Sequence, residues 1–272
     1  MRTRRAWLAG TILLGALGAS ALLCLLIGAV PISPAELWDA LHGRGEETAR
    51  LILWELRLPR VLTAILVGGV LGCVGCAFQG LLRNSLADPY IVGVSLSASL
   101  WGVITLLLVL AGEDLSRVLY WLLGGLLNAD WTRLGWASVP ALAGCGLLLS
   151  QARALNLYTA GEETAQHLGA QVERLKWAVL IGGALATAAT VAIAGIIGFV
   201  GWMTPHLLRR VVGGDHRVLM PLSALGGAIL LLWADTLART LARPVELPVG
   251  VITALIGAPL FLWVMRSEAR SA

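Results

Sequence analysis

Asp235 is the residue of this chain with the clearest capacity for buried acid–base or ion-pair chemistry. It is the only acid inside a long apolar run, and an ionisable group within a membrane helix is a candidate functional residue. Arg239 follows four residues later, a spacing that places two side chains on the same helix face. The sequence leaves two roles open for Asp235: an intrahelical ion pair, which we favour, and a proton relay.

Arginines at the ends of apolar runs form a second candidate set. Arg57 and Arg60 flank a Leu-Pro pair, and Arg239 and Arg243 follow the run that holds Asp235. Isolated arginines at such positions are usually solvated or bound to lipid headgroups. The alternative is that their planar, fork-shaped guanidinium groups pair with carboxylates of a docking protein.

Other reactive residue types do not assemble into a site. Cys73 and Cys76 form a C-x-x-C, but all four cysteines lie in apolar runs, which is more typical of small residues at a helix contact than of redox or metal chemistry. The four histidines are scattered. The only lysine, Lys176, follows a leucine, so there is no P-loop. We therefore expect no enzyme, no metal and no cofactor on this chain.

Composition indicates what positions these residues. The chain of 272 residues is 58% hydrophobic and only 13% charged, about half the charged fraction of a soluble domain. Apolar runs of membrane-spanning length predict an all-α, polytopic membrane helical bundle of about eight spans. Gly198 and Pro205 provide a break in the longest uncharged run. The predicted spans are 6–30, 61–82, 89–112, 134–152, 177–194, 198–212, 218–241 and 247–265.

Eight spans place both termini on one side of the membrane. With the termini inside, the inner loops hold the larger share of the 20 lysine and arginine residues, which favours cytoplasmic termini. We therefore expect a multi-pass protein of the cell inner (plasma) membrane, surrounded by lipid. A net charge of +4 spread in this way does not indicate a nucleic-acid partner.

A polar segment, 154–176, interrupts the apolar runs and falls on the cytoplasmic side. Gly161 and Gly169 bracket a short predicted helix of about two turns. A water-exposed helix between two membrane spans is typical of a docking element for a protein outside the membrane.

Small residues follow a helical period in the run 61–82. Gly68, Gly72 and Gly80 lie on one helix face, where they would allow another backbone to approach closely. Gln79 and Asn84 are polar residues at the inner end of this run. They could line a passage or bond neighbouring backbone, and the sequence leaves both possibilities open.

Together these stretches resemble the FecCD-type permeases, the membrane subunits of ABC importers for iron-siderophores, haem and cobalamin. The resemblance follows the family's order over most of the chain, and its motifs are specific in combination. The matching stretches are 57–60 (RLPR), 79–93 (QGLLRNSLADPYIVG), 155–169 (LNLYTAGEETAQHLG), 198–210 (GFVGWMTPHLLRR), 214–217 (GDHR), 234–239 (ADTLAR) and 246–259 (ELPVGVITALIGAP).

The resemblance implies one transmembrane permease domain, 1–272, that pairs with a second copy of itself. Two copies of an ABC ATPase subunit, which carry ATP-Mg, and a substrate-binding protein would complete the importer. Coupling to the ATPase is implied for Asn156, Leu157, Gly161, Glu162, Glu163, Ala165 and Gly169. Docking of the binding protein is implied for Arg57, Arg60 and Arg239. Candidates for the pathway or for helix packing are Gly68, Gly72, Gln79, Gly80, Asn84, Pro89, Gly198, Pro205 and Asp235.

The chain departs from the family between residues 109 and 125. The family has about ten spans, and roughly two helices are absent here, one of which lines the family's pathway. We expect a permease that translocates a metal chelate, ferric siderophore first and cobalamin or haem as alternatives. The competing hypotheses are a shortened, non-transporting assembly subunit and, with little support, a membrane-embedded enzyme. A heterodimer with a related permease is an alternative to the homodimer.

Overall fold

A computed structural model describes residues 2–28, 30–84 and 115–269, and all regular secondary structure in these ranges is helical. A π-helical turn, Ile52–Arg57, joins α3 to α4. The helices are α1 (Arg2–Leu26), α2 (Pro34–Leu41), α3 (Glu47–Leu51), α4 (Leu58–Leu81), α5 (Leu115–Leu122), α6 (Trp131–Ser150), α7 (Ala152–Thr159), α8 (Glu162–His167), α9 (Val172–Ala194), α10 (Val200–Val212), α11 (His216–Ala238) and α12 (Val249–Ala269).

Within the described ranges, five helical segments are long and apolar enough to cross a membrane. They belong to α1, the continuous rod of α3 and α4, α9, α11 and α12. The pair α6 and α7, bent by 49° at its junction, makes a sixth if it counts as one span. Integral membrane character therefore follows from the helices themselves.

The prediction of eight spans is not reached by these segments. The expected span 89–112 lies outside the described residues. The expected span 198–212 corresponds to α10, whose 13 residues cover about 20 Å at 1.5 Å per residue, short of a hydrocarbon core about 30 Å thick. The count of eight stays a prediction.

Helix α4 is the centre of the bundle and is buried over nearly its whole length. Its glycine face packs against the backbone of α11. A Cβ added at Gly68 would collide with the carbonyl group of Gly227, and one at Gly72 with that of Ser223. The two helices therefore touch backbone to backbone, which is the close approach that a stripe of small residues permits.

Helix α9 is held by α6 through a second small-residue contact. A Cβ at Gly144 would lie 2.5 Å from the carbonyl oxygen of Gly182 and 2.8 Å from the Cβ of Ala186. On another face of α9, the ring of Phe78 from α4 lies against Gly183. The small residues of both helices thus serve packing within the chain.

The bundle has two distinct ends. The segment end carries α7 and α8, together with the end of α4 and the start of α11. The arginine end carries Arg57, Arg60 and Arg239, close to the end of α1. Helix α1 runs from the segment end to the arginine end, and α12 runs from the arginine end to the segment end. The direction of α12 follows from Trp263, near its end, which lies under Arg210 at the end of α10, directly before the start of α11. The start of α1 and the end of α12 therefore both lie at the segment end.

Short helices and tryptophans cover the arginine end. Ser33 and Glu36 form a reciprocal capping box at the start of α2, with Pro34 in the first helical position. The hydrogen bond from the Ser33 backbone lowers the pKa of Glu36. Trp54 donates its indole N–H to the carbonyl of Ala40 at 3.1 Å, while Trp131 donates to the carbonyl of Trp54 at 2.8 Å.

Non-helical backbone from three places meets in a glycine junction below this layer. Gly125 N–H donates to the carbonyl of Ala194 at 2.8 Å, and Gly250 N–H donates to that of Gly124 at 3.3 Å. Gly195, with φ of +68°, lies against the backbone of Trp121. The junction thus joins the end of α5, the break between α9 and α10, and the start of α12. Gly198 lies within that break.

Candidate functional site: the polar segment and the arginine cluster

The polar segment folds as two short helices joined by a glycine. Gly161, with φ of +125°, stands between α7 and α8, and Gly169, with φ of +84°, follows α8. A side chain is strained at such φ values, so both positions favour glycine. The short helix expected between these two glycines is present as α8, with six residues.

The first attachment of the segment is to the end of α4. The guanidinium of Arg83 lies over the ring of Tyr158 on α7, 5.5 Å from its centroid. This is within the range of a cation–π contact. The Tyr158 hydroxyl in turn donates to the carboxylate of Glu162 at 3.4 Å, which ties α7 to α8.

The second attachment is to the start of α9. Lys176 Nζ donates to Glu162 Oε1 at 2.8 Å and to Glu173 Oε1 at 3.1 Å. The hydrogen bond from Lys176 lowers the pKa of Glu162. Because both partners are about one third exposed, this pair fixes the position of α8 more than it adds to stability.

The third attachment is to the start of α11. Asn156 on α7 donates through Nδ2 to Asp215 Oδ1 at 2.6 Å, and its Oδ1 accepts the backbone N–H of His216 at 2.8 Å. The His216 ring nitrogen Nδ1 lies 2.8 Å from the same oxygen. Hydrogen bonds from Arg217, followed by the one from Asn156, hold the pKa of Asp215 well below its usual range.

The remaining coupling candidates divide between the inner and outer faces of the segment. Ala165 is fully buried and Leu157 packs against the same core cluster, so both anchor the segment to the bundle. Glu163 is exposed, and Leu168 is 62% exposed. The segment thus presents an acid and a large apolar side chain to its surroundings.

At the arginine end, Asp235 is the centre of a buried ion cluster. Arg60 donates Nε to both oxygens of Asp235 at 3.0 Å, and Nη2 to Oδ1 at 2.9 Å. Arg60 Nη1 also donates to Glu246 Oε2 at 2.9 Å. Arg239 Nε lies 3.5 Å from Asp235 Oδ2. The expected i,i+4 pair is therefore present, but the closer partner of Asp235 comes from α4.

Arginines also satisfy the free carbonyls at the end of α1. Arg57 donates to the carbonyls of Leu25, Leu26 and Val30. Arg239 donates to that of Cys24 at 2.8 Å, and Arg243 to that of Gly28 at 2.6 Å. The last carbonyls of a helix have no partner within the helix and carry partial negative charge, which cations stabilise. Arg57 and Arg239 thus cap α1, and Arg243 binds the chain just beyond its end.

The arginine forks of this end are bonded within the chain. Arg57 and Arg239 are buried, and the Arg60 side chain is only 13% exposed. The physical reason is that the end of α1 and the carboxylate of Asp235 attract the guanidinium groups inward. Docking by these arginines stays a prediction. It requires that carboxylates of a docking protein compete for the guanidinium groups with the carbonyls and carboxylates that bind them within the chain.

The model of the FecCD transport family matches residues 16–113 and 91–267, which is nearly the whole chain. The chain belongs to the FecCD transport family. The two matched ranges overlap at 91–113, so the family pattern resumes there after an interruption. The departure from the family expected between residues 109 and 125 begins within this overlap.

Other FecCD members with known roles are similar over most of their length. The hemin transport system permease protein of Yersinia pestis is 37% identical over 310 residues, covering 90% of this chain and 92% of its own. The Fe(3+) dicitrate transport system permease protein of Escherichia coli K12 is 36% identical over 309 residues, with 92% and 95% covered. The vitamin B12 import system permease protein of Vibrio cholerae is 33% identical over 315 residues, with 93% and 92% covered.

The fold is also similar to a solved member of this transporter class. A metal-chelate type ABC transporter in an inward-facing conformation matches with a TM-score of 0.79 and 29% identity, covering 95% of this chain and 99% of that one. The relatives are longer where they align, since an alignment of 310 residues exceeds the 272 residues of this chain. The FecCD chain described here is therefore a shortened permease whose helical framework is retained.

The remaining pathway candidates mostly bond within the protein. Gln79, which is buried, donates to the carbonyl of Trp202 at 3.2 Å and accepts from Arg209 at 3.1 Å. Asn84 donates its backbone N–H to the carbonyl of Gln79. Pro205 is buried inside α10. Pro89 lies outside the described residues.

The cysteines and acids give no sign of a metal centre in the described part of the chain. All four cysteines are free thiols, and three are buried. Cys73 and Cys145 line an apolar groove of about 530 Å³ between α4 and α6. The described residues contain no group of three metal-ligating side chains.

Asp215 and His216 are the functional candidates that the sequence analysis gave no role. Their stretch, GDHR, was among the family matches, but its connection to Asn156 spans 59 and 60 residues. In the sequence, the signal for a role of these two residues was a polar stretch directly before an apolar run. Arg243 was likewise left as an end-of-span arginine, because its partner is the backbone carbonyl of Gly28, distant in sequence.

Proposed function

We propose that this FecCD chain is the membrane permease of an ABC importer that translocates a metal chelate, with ferric siderophore first and haem or cobalamin as alternatives. In this proposal two copies form the pathway in the cell inner membrane. An ABC ATPase subunit binds each copy at the segment end, and a binding protein delivers the chelate at the arginine end.

The observation that carries the proposal is the attachment of the polar segment to three membrane helices. Arg83, Lys176 and Asp215 connect it to the end of α4 and to the starts of α9 and α11. A movement imposed on α7 and α8 therefore reaches all three helices. This is the mechanical property that an ATPase-driven permease needs from its docking element.

The cargo class rests on the relatives. The permeases compared with this chain are named for hemin, Fe(3+) dicitrate and vitamin B12, and the similar solved structure is of metal-chelate type. These cargoes share a large, rigid metal complex. We place ferric siderophore first because two of these three relatives are named for iron complexes.

The experiment is copurification of the partner ATPase with a charge-reversed segment. Glu163→Arg is the sharper variant, because Glu163 is exposed, whereas Glu162 is bonded to Lys176 and Tyr158 within the chain. We expect Glu163→Arg to reduce ATPase copurification at least tenfold. Glu55→Arg, an exposed acid at the opposite end, is the matched control and should copurify normally.

Unchanged copurification and uptake in Glu163→Arg and in the double variant Glu162→Arg with Glu163→Arg would refute the coupling role of the segment. Normal copurification by wild type without uptake would instead point to a shortened assembly subunit that binds the ATPase but does not transport.

A further inference from the structure

The start of α11 is bonded to the coupling segment through one side chain. Asn156 accepts the first helical N–H of α11, that of His216, and donates to Asp215, the residue that caps the helix. One amide thus uses both its donor and its acceptor on the same helix end. Within the described residues, the other two polar attachments given above are a cation–π contact and a partly exposed ion pair.

The same contact reaches α4. The His216 ring is buried between Asn156 and the backbone of α4, where a Cβ at Gly80 would lie 2.5 Å from its Nε2. A ring held on one side by a hydrogen bond and on the other by a helix backbone has little freedom to move. A displacement of Asn156 is therefore transmitted to α4 as well as to α11.

The two helices that meet at this joint are the pair packed backbone to backbone. The contacts of Gly68 with Gly227 and of Gly72 with Ser223 lock α4 to α11 along their length. Their far ends are joined by the Arg60–Asp235 ion pair. The pair therefore moves as one body from the segment end to the arginine end, and Asn156 is the residue of the segment that hydrogen-bonds to it.

We infer that Asn156, through Asp215 and His216, is the positioning residue that converts movement of the coupling segment into movement of the α4–α11 pair. The inference rests on the proposed function and names the contact that carries its mechanical step. Asn156 has no need to touch the ATPase or the cargo in this role. Loss of its bonds should separate ATP hydrolysis from transport while the ATPase stays bound.

The test uses an exchange of the two side chains at the joint. Asn156→Asp places a carboxylate 2.6 Å from that of Asp215, which repels it and removes the donor. Asp215→Asn keeps a good helix cap. In the double variant, the amide introduced at position 215 could donate to the carboxylate introduced at position 156, and that carboxylate could still accept the backbone N–H of His216. The pair of substitutions thus restores the bond between positions 156 and 215 with the charge moved from one side to the other, at the loss of the hydrogen bond that Asp215 Oδ1 accepts from the Arg217 backbone N–H.

The measurement is uptake per ATP hydrolysed by the permease–ATPase complex in proteoliposomes with the binding protein. We expect Asn156→Asp to lower this ratio about tenfold, with ATPase copurification unchanged, and the double variant to restore it to within about twofold. Asp130→Asn, the same substitution at the cap of α6, is the matched control and should leave the ratio unchanged.

A normal ratio in Asn156→Asp, or a double variant no better than the single one, would overturn the inference. If Asn156→Asp does not accumulate in the membrane, Asn156→Ala provides the same test without the added charge, and a normal ratio there would also overturn it. Absence of uptake by the wild-type complex would overturn the proposed function, and this inference with it.

Discussion

Replacement of Arg60 by alanine should destabilise the bundle strongly. Arg60 donates three hydrogen bonds to Asp235 and one to Glu246, and the Asp235 side chain is only 3% exposed. Without Arg60, the closest cation to Asp235 is Arg239, at 3.5 Å. Removal of one partner from a buried ion pair costs about 3–5 kcal/mol when the other charge is left buried without compensation. Because Arg239 stays near Asp235, we expect a loss at the lower end of this range.

The expected size in a melting experiment follows from the chain length. For a protein of this size, each kcal/mol shifts the Tm by about 2–4 °C. Arg60→Ala should therefore lower the Tm by roughly 10 °C, measured in detergent at a fixed heating rate. Arg133→Ala is the matched control: its pair with Asp130 is about half exposed, and such pairs contribute about 1 kcal/mol or less.

The double variant Arg60→Leu with Asp235→Leu separates the effect of an unpaired buried charge from the effect of a shortened side chain. It removes both charges of the Arg60–Asp235 pair but leaves the buried Arg239 without its carboxylate, so only part of the Tm should return. A Tm for Arg60→Ala within about 2 °C of wild type would refute the account of this end as a buried cluster. It would favour arginines that are free to dock another protein.

Three further outcomes are expected. Gly72→Leu should lower the free energy of unfolding by about 1–3 kcal/mol or more, because the new side chain would collide with the backbone of Ser223. Gly146→Leu, on an open face of α6, is the control and should be tolerated, and thermal unfolding compares the two variants. The pKa of Asp215 is lower in the folded chain than in the unfolded chain. Its contribution to stability is therefore present above the ordinary aspartate pKa of about 3.9 and is lost as the pH falls below that value. Asp215→Asn should show a smaller loss of Tm than wild type between pH 6 and about pH 3. Arg57→Gln should loosen the end of α1, seen as faster amide hydrogen exchange at residues 24–26, with Arg44→Gln, an exposed arginine, as the control.

Local patterns predicted the elements of the fold well. The glycines at 161 and 169 marked the ends of α8, and the four-residue period at Gly68 and Gly72 marked the face of α4 that meets α11. Each of these signals depends on backbone geometry within a few residues. The family resemblance supplied what local patterns could not, namely the expectation that the segment binds an ATPase.

The partners of the arginines could not be predicted from local patterns. Arg60 is separated from Asp235 by 175 residues, and Arg57 from the carbonyl of Leu25 by 32. Only the fold brings them together, so the sequence could show arginines at span ends but not the buried groups that bind them. The nearer partner of Asp235 along the chain, Arg239, was found because it lies on the same helix.

The span expected at 198–212 stays a prediction for a related reason. An uncharged run shows that residues avoid water, but a short helix that begins after a glycine junction inside the bundle avoids water equally well. Gly195 and Phe199, both with φ of +68°, turn the chain before α10 begins. Apolar length alone cannot distinguish such a helix from a full span.

The central claim is that this shortened FecCD chain still transports. The most direct measurement is ATP-dependent accumulation of ⁵⁵Fe-labelled siderophore in proteoliposomes that hold the permease and its ATPase, with the binding protein outside, and with haem and cobalamin as parallel cargoes. We predict accumulation of one of these chelates with ATP and none with a non-hydrolysable analogue. ATP hydrolysis stimulated by the permease without accumulation of any of the three would contradict the claim.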